Sequence, residues 1–268
     1  GAGGEMGKET YAKKTNRLRA TQGAYEAYDK AVTALKKNDT GTAAELAKKA
    51  ISIEPREARF QELLGDIALT QEKPETALNY YAKAIKMQPD YFKPHIQSGI
   101  ALFNMGKKKE AEPYLKRANE LLPTAPGHAL LGQIAEERGD TNLALQHYQV
   151  AASSNSSIGK EASARMMRID FPKNPEKYLR SGVLADNSGN LYAVVENNAA
   201  LPIEGVQVRV VQYNPQTGRA ISQSRPLVIR GAIDSGKRGQ VGVGVRISDP
   251  QEARFYKVAI EAAKLVDQ

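Results

Sequence analysis

The sequence predicts an α + β protein of two domains, an α-α superhelical solenoid followed by a β-sandwich. Three observations support this prediction. Pro55, Pro89 and Pro123 recur at intervals of 34 residues, which is a period typical of stacked helical repeats. Small residues recur at fixed positions between these prolines. After residue 170, short runs that alternate between apolar and polar residues replace the helical pattern.

The repeated unit is predicted to be a pair of antiparallel helices. Each of the three prolines follows an apolar helical stretch, and it marks the turn after the second helix because proline cannot continue a helix. Two helices approach closely only where side chains are small, and large residues fill the neighbouring holes. The recurring residues are Gly65, Gly99 and Gly132 in first helices, and Ala77, Ala111, Ala144, Ala84, Ala118, Ala151, Tyr81, Leu115 and Tyr148 in second helices.

This order of small and large residues resembles the tetratricopeptide repeat (TPR). The resemblance places four units at residues 24–57, 58–91, 92–124 and 125–158, together spanning 24–158. Residues 1–23 are expected to form a leading helix and linker, and residues 157–170 a capping helix. A repeat buries only part of its apolar surface alone, so the stack needs such ends.

The second domain is predicted over residues 171–268. β-prone runs at 178–184, 191–196, 206–213, 220–229, 241–247 and 255–262 are separated by turn-forming clusters such as Asp186-Asn187-Ser188-Gly189-Asn190. Roughly seven short strands in about 90 residues favour an immunoglobulin-like sandwich.

The net charge of +8 does not indicate a nucleic-acid partner, because the surplus is not concentrated. Residues 171–268 hold 13 of the 38 Lys and Arg residues and 9 of the 30 Asp and Glu residues, so each part of the chain has a surplus of 4. No apolar run approaches the ~20 residues that cross a bilayer.

Candidate catalytic, metal and cofactor residues are not found in the sequence. The chain has no Cys, which excludes disulfides, thiolate metal sites and a Cys nucleophile. Its three histidines, His95, His128 and His147, do not pair at metal-ligand spacing, and no His-Glu-x-x-His or phosphate loop is present. We therefore expect no enzyme activity in this chain and no bound cofactor.

The TPR resemblance implies a concave surface, lined by the first helices, that binds a polypeptide. Stepping along these helices at helical spacing predicts the following groove residues: Tyr25, Tyr28, Arg59, Glu62, Asp66, Lys93, Ile96, Ile100, Phe103, Gln133 and Glu136. Apolar and charged side chains together suit an extended peptide or helix, with a hydrophobic anchor near Ile100 and Phe103. The alternative is that Ile96, Ile100 and Phe103 face a neighbouring helix instead.

A narrower resemblance covers roughly residues 24–180. The stretches that carry it are Ala50-Ile51-Ser52-Ile53-Glu54-Pro55-Arg56-Glu57-Ala58, Leu64-Gly65-Asp66-Ile67-Ala68, Leu121-Leu122-Pro123-Thr124-Ala125, Leu131-Gly132-Gln133-Ile134-Ala135 and Ile169-Asp170-Phe171-Pro172-Lys173-Asn174-Pro175. Together they resemble the C-terminal TPR region of exported bacterial zinc metallopeptidases of the His-Glu-x-x-His type. The family's catalytic residues lie in a preceding peptidase domain, and no position here matches them.

This resemblance implies that the chain is the non-catalytic, substrate-presenting or docking region of a periplasmic metallopeptidase. Its partners would then be a polypeptide substrate and its own upstream peptidase domain. The alternative is a stand-alone structural adaptor without a protease link, in which the β-sandwich is a second binding head.

Overall fold

The computed structural model describes residues 2–266 and confirms the α + β architecture, with helices followed by strands. The chain forms two compact units, one up to Ile134 and one from Ala135 onward, and the boundary falls inside the seventh helix. The helices are α1 (Ala2–Lys36), α2 (Thr40–Ile53), α3 (Ala58–Thr70), α4 (Pro74–Met87), α5 (Phe92–Asn104), α6 (Lys108–Leu121), α7 (Ala125–Glu137), α8 (Thr141–Ala152) and α9 (Ser157–Asp170).

Helices of the first unit pack in consecutive pairs, α1 with α2, α3 with α4, and α5 with α6. The tight turn within each pair needs one residue in the left-handed backbone region. Gly106 provides it between α5 and α6 with φ 78°, whereas Asn38 (φ 61°) and Glu72 (φ 59°) provide it in the two preceding pairs. Glycine at this turn is therefore a preference of the repeat and not a requirement.

The predicted contact between a small residue and a large one holds each pair together. A Cβ atom added at Gly65 would overlap the ring of Tyr81, and one at Gly99 would lie 2.5 Å from Leu115 Cδ2. Both Tyr81 and Leu115 are fully buried. The first helix thus needs glycine because the second helix inserts its largest side chain at that point.

The substitution Gly99→Ala is expected to destabilise the protein by about 1–3 kcal/mol, because Leu115 cannot move away without distorting the core. Gly23→Ala is the matched control, since Gly23 also lies inside a helix but has no atom within 4 Å of a built Cβ. That control should gain ~0.5–1 kcal/mol from helix propensity alone. Urea unfolding followed by circular dichroism measures both, and equal shifts in the same direction would contradict the packing argument.

The first helix, α1, is one continuous element of 35 residues. It joins the predicted leading segment to the first helix of the predicted unit one, because residues 8–36 contain no proline, and the helix continues through Gly23, the one glycine among them. Ala24, Ala27, Ala31 and Ala34 form its buried side. The division at residues 23 and 24 stays a prediction about repeat boundaries.

No helix within residues 2–266 combines the length and the apolar character that a membrane crossing requires.

Strands occupy most of the second unit beyond α9. They are β1 (Leu179–Ala185), β2 (Asn190–Asn197), β3 (Ile203–Tyr213), β4 (Ala220–Gln223), β5 (Leu227–Ile229), β6 (Arg238–Arg246) and β7 (Tyr256–Leu265). The run predicted over 220–229 is divided into β4 and β5 at Ser224-Arg225-Pro226. Proline has no N–H to donate to the ladder, so the strand is interrupted there.

Two antiparallel sheets form a β-sandwich. One has the order β1-β2-β6, and in the other β3 pairs with β7 along one edge and with both β4 and β5 along the opposite edge. The immunoglobulin-like topology stays a prediction, because β4 pairs with β3 here, whereas the constant-type immunoglobulin arrangement places the fourth strand in the sheet of the first two. Val195, Val206 and Val208 lie in the shared core, together with Phe171, the residue that directly follows α9.

Phe171 belongs to the sandwich core, and Ala200 donates its backbone N–H to Met167 Sδ on α9 at 3.1 Å. The end of α9 is therefore packed into the β-rich part. The predicted boundary at residue 171 implies that residues 171–268 fold without α9, and this stays a prediction.

Candidate functional site

The predicted groove residues of the first unit lie on one stripe of each successive first helix. Residues 59, 62, 66 and 69 of α3 share a face by their helical spacing, as do residues 93, 96, 100 and 103 of α5. Most remain accessible: Arg59 and Lys93 are exposed, and the half-buried members are Tyr25, Tyr28, Asp66, Ile100, Phe103 and Gln133. Glu62 and Ile96 are buried, with 2% and 8% of their surface exposed.

The apolar part of the surface lies on α5. Ile96 belongs to a core cluster with Leu102, Leu115 and Leu131, whereas Ile100 and Phe103 pack only against the edge of that cluster. Lys108 Nζ lies 4.9 Å from the centre of the Phe103 ring, at the distance of a cation–π contact. Ile96 therefore supports the surface from below, and Ile100 and Phe103 are its accessible apolar side chains.

Where α1 meets α3, the predicted groove has a network of hydrogen bonds around Glu57. Tyr25 donates its hydroxyl to Glu57 Oε2 at 2.5 Å, and Arg59 Nε donates to Glu57 Oε1 at 3.1 Å. The Arg59 guanidinium also lies 5.1 Å from the centre of the Tyr25 ring. Burial raises the pKa of Glu57, but hydrogen bonds from Arg59 and Tyr25 outweigh it, so that the pKa is lowered. These three side chains hold one another in place.

A second group of polar side chains connects three consecutive repeats. We call it the Glu62 cluster, and its members are Tyr28 of α1, Glu62 and Asp66 of α3, Tyr81 of α4, Tyr91 and Lys93. Tyr91 precedes α5 and donates its hydroxyl to Glu62 Oε2 at 3.1 Å. Tyr81 donates its hydroxyl to Asp66 Oδ1 at 2.6 Å.

Glu62 has an unusual protonation equilibrium. Burial is the largest cause that raises its pKa, followed by the negative charge of Asp66 and by hydrogen bonding to it, and the result is a pKa of about 8. The Lys93 ammonium and the Tyr91 hydroxyl act in the opposite direction without cancelling this effect. These effects favour the protonated form of Glu62 in the free protein, unless a cation takes the proton's place.

Sequence reasoning found Glu62 and Asp66 but missed Tyr81 and Tyr91, which position them, and Glu57, which holds Tyr25 and Arg59. Tyr81 was assigned to packing alone, and Glu57 and Tyr91 lie just before first helices, outside the stripes that the helical spacing defined. The available signal was the acidic or aromatic residue that directly precedes α3 and α5.

The last predicted groove residues are distributed over the two units. Gln133 is half-buried on α7 in the first unit, whereas Glu136 belongs to the second. There Glu136 accepts a hydrogen bond from the Tyr148 hydroxyl and lies 3.5 Å from Arg165 Nη1. This arrangement resembles the Tyr81–Asp66 pair.

Among the described residues, no three His, Asp or Glu side chains lie close enough together to bind a metal ion. His95 is buried, and its Nε2 lies 2.8 Å from the Pro89 carbonyl oxygen, an acceptor, so this nitrogen carries the hydrogen and donates it. Burial lowers the pKa of His128.

Paired helices with this packing define a solenoid of helical repeats, and family models agree with that class. Two models described as tetratricopeptide repeat match residues 28–92 and 68–134. Residues 28–134 are thus tetratricopeptide repeats.

Comparison with known proteins gives the following similarities. The chain is 24% identical over 205 residues to human protein O-mannosyl-transferase TMTC3; the match covers 67% of this chain and 22% of that protein. The chain thus spans about a fifth of the length of this curated relative.

Two solved structures have the fold of the helical part. The TPR protein YrrB, described as having an unusual peptide-binding site, superposes with a TM-score of 0.50 and 19% identity, covering 62% of this chain and 86% of YrrB. The MamA RS-1 ArsTM double mutant gives a TM-score of 0.50 and 16% identity, covering 58% of this chain and 87% of MamA.

Proposed function

We propose that the first unit binds an extended polypeptide along the stripes of α1, α3 and α5. The single observation that carries this proposal is the accessibility of Ile100 and Phe103 beside charged side chains on successive first helices. Tetratricopeptide repeats are protein-interaction modules, and solenoids of this type bind partners on extended concave surfaces. Apolar anchors surrounded by polar groups suit a peptide segment.

A randomised peptide library displayed on phage tests this function. Peptides enriched on the wild-type protein are expected to lose binding by tenfold or more to the Phe103→Glu variant, because a charge replaces the apolar anchor. Leu122→Glu is the matched control: Leu122 is 52% exposed in the same unit but follows a second helix. It should retain the wild-type affinity.

Phe103 is half-buried, so the folded state of its variant is checked by circular dichroism and thermal unfolding. Lys93→Glu provides a second variant on the same stripe, at an exposed position that does not contribute to the core. Equal binding to the wild-type protein and to both stripe variants would reject the surface as the peptide site.

A narrower proposal concerns the protein to which this unit belongs. The resemblance of residues 24–180 to the TPR region of exported His-Glu-x-x-His metallopeptidases supports a role in presenting substrates to such a peptidase, or in docking it, in the bacterial periplasm. The coding sequence upstream of residue 1 tests this directly. A His-Glu-x-x-His helix there supports the role, whereas a signal peptide joined directly to residue 5 favours the stand-alone adaptor. Cell fractionation tests the compartment.

A further inference from the structure

A buried carboxylate, Glu62, lies at the centre of the Glu62 cluster. Only 2% of Glu62 is exposed, and its Oε2 atom accepts the Tyr91 hydroxyl. The second oxygen, Oε1, is buried without a hydrogen-bond partner among the described residues. An unpaired buried carboxylate oxygen is unfavourable by several kcal/mol, so this atom needs a proton or an external donor.

The neighbouring side chains do not supply that donor. The hydroxyls of Tyr81 and Tyr91 are directed to Asp66 Oδ1 and to Glu62 Oε2, respectively. Asp66 is an acceptor when it is ionised. Lys93 is exposed; its charge lowers the pKa of Glu62 but does not restore the pKa to its ordinary value. In the free protein, protonation of the Glu62 carboxyl group therefore replaces the missing hydrogen-bond donor at Oε1.

The surroundings suit one particular kind of guest group. Two carboxylates, Glu62 and Asp66, lie beside the aromatic residues Tyr28 and Tyr91, whose pKa values both are raised by burial first and then by the negative charge of Glu62. Carboxylates attract a cation and accept its hydrogen bonds, and tyrosine rings attract cations through their faces. A Lys side chain has three donors for such a site and an Arg side chain has five.

We propose that the Glu62 cluster receives one Lys or Arg side chain of the polypeptide that lies on the first unit. This inference rests on the function proposed above and adds a requirement for a basic residue in the guest. Glu62 and Asp66 belong to the α3 stripe, and Lys93 belongs to the α5 stripe that continues to Ile100 and Phe103. A polypeptide bound on this surface can therefore contact Ile100 and Phe103 with one side chain and the Glu62 cluster with another.

Binding of a cation has a consequence for protons. A positive charge beside Glu62 favours the carboxylate, so that the guest displaces the proton that the free protein holds. The groups that face Glu62 are Tyr28 from α1, Asp66 on its own helix, Tyr81 from α4, and Tyr91 and Lys93 at the start of α5. Affinity for a basic peptide should therefore rise between pH 6.5 and pH 8.5.

The test uses peptides that the wild-type protein selects from the randomised phage library. We expect Lys or Arg at a fixed distance from the apolar anchor, and replacing that residue by Gln in a synthetic fluorescein-labelled peptide should weaken binding about tenfold or more in fluorescence anisotropy. Glu62→Gln keeps the shape of the protonated side chain and should lose most of the preference for the Lys peptide over the Gln peptide, because only the Asp66 carboxylate remains. Glu45→Gln, which removes an exposed charge on α2, should discriminate as the wild type does.

The outcomes separate the two proposals. If selected peptides depend on Phe103 but share no basic position, or if Glu62→Gln prefers the Lys peptide as strongly as the wild type does, the cluster is not the receptor and the peptide surface stands. If no selected peptide depends on Phe103, the peptide surface itself is rejected. Affinity that is independent of pH in the wild type would also overturn the receptor role, because no proton would then be displaced.

Discussion

Replacing Asn197 by Leu is expected to destabilise the second unit by about 3–5 kcal/mol. Asn197 is fully buried; its Nδ2 donates to the carbonyl oxygens of Leu201 and Ile233, both at 2.9 Å, and its Oδ1 accepts from the backbone N–H of Ala199 at 2.8 Å. Leucine has a similar volume but none of these bonds. Each buried polar group left unpaired contributes about 1–3 kcal/mol of destabilisation.

The neighbouring residue provides the control for this prediction. Asn198 is exposed, and its backbone N–H donates a hydrogen bond to the Tyr178 carbonyl oxygen at 2.9 Å. Asn198→Leu should change the free energy of unfolding by no more than ~0.5 kcal/mol. Urea unfolding of both variants, followed by intrinsic tyrosine fluorescence, measures the difference. Similar losses for the two variants would show that the Asn197 side chain does not hold this loop.

The second large effect is expected in the pH dependence of stability. The pKa of Glu62 is about 8 in the folded protein, against about 4.3 in an unfolded chain. Since the folded state binds this proton more tightly, the stability contribution is complete below pH ~4.3 and is lost as the pH rises through 8. Each pH unit in this window removes up to ~1.4 kcal/mol.

Glu62→Gln removes this equilibrium, because the amide does not titrate. Between pH 5 and pH 8.5 the wild-type protein should lose about 4 kcal/mol of stability relative to the variant. Titrating groups outside the Glu62 cluster are common to both proteins and cancel in the comparison. Glu45→Gln should follow the wild-type curve. Parallel curves for the wild type and Glu62→Gln in urea titrations would mean that Glu62 ionises normally in the folded protein.

The helical half of the fold was predictable because its packing repeats in the sequence. The 34-residue proline interval fixed the period, and Gly65, Gly99, Tyr81 and Leu115 mark contacts that the structure forms. The β-rich half was predictable as a class from alternation and turn residues. The break between β4 and β5 could have been predicted from Pro226, since that residue lacks the N–H of a ladder bond.

The candidate site was only partly predictable. Helical spacing placed Glu62, Asp66 and Phe103 on shared faces, because spacing alone determines the face of a regular helix. It did not show that Ile96 is buried in the core while Ile100 and Phe103 remain accessible. It also missed Tyr91, which reaches Glu62 from the turn that precedes the next repeat.

Local rules of helix and strand formation thus determined which elements this chain forms and in what order, because spacing, glycine and proline act over a few neighbouring residues. The tertiary structure alone decided the charge state of Glu62 and the role of Asn197. Both depend on burial and on partners that lie 29 to 36 residues away in the sequence, such as Tyr91 for Glu62 and Ile233 for Asn197. Residues so far apart in the sequence come into contact only when the chain has folded and packed.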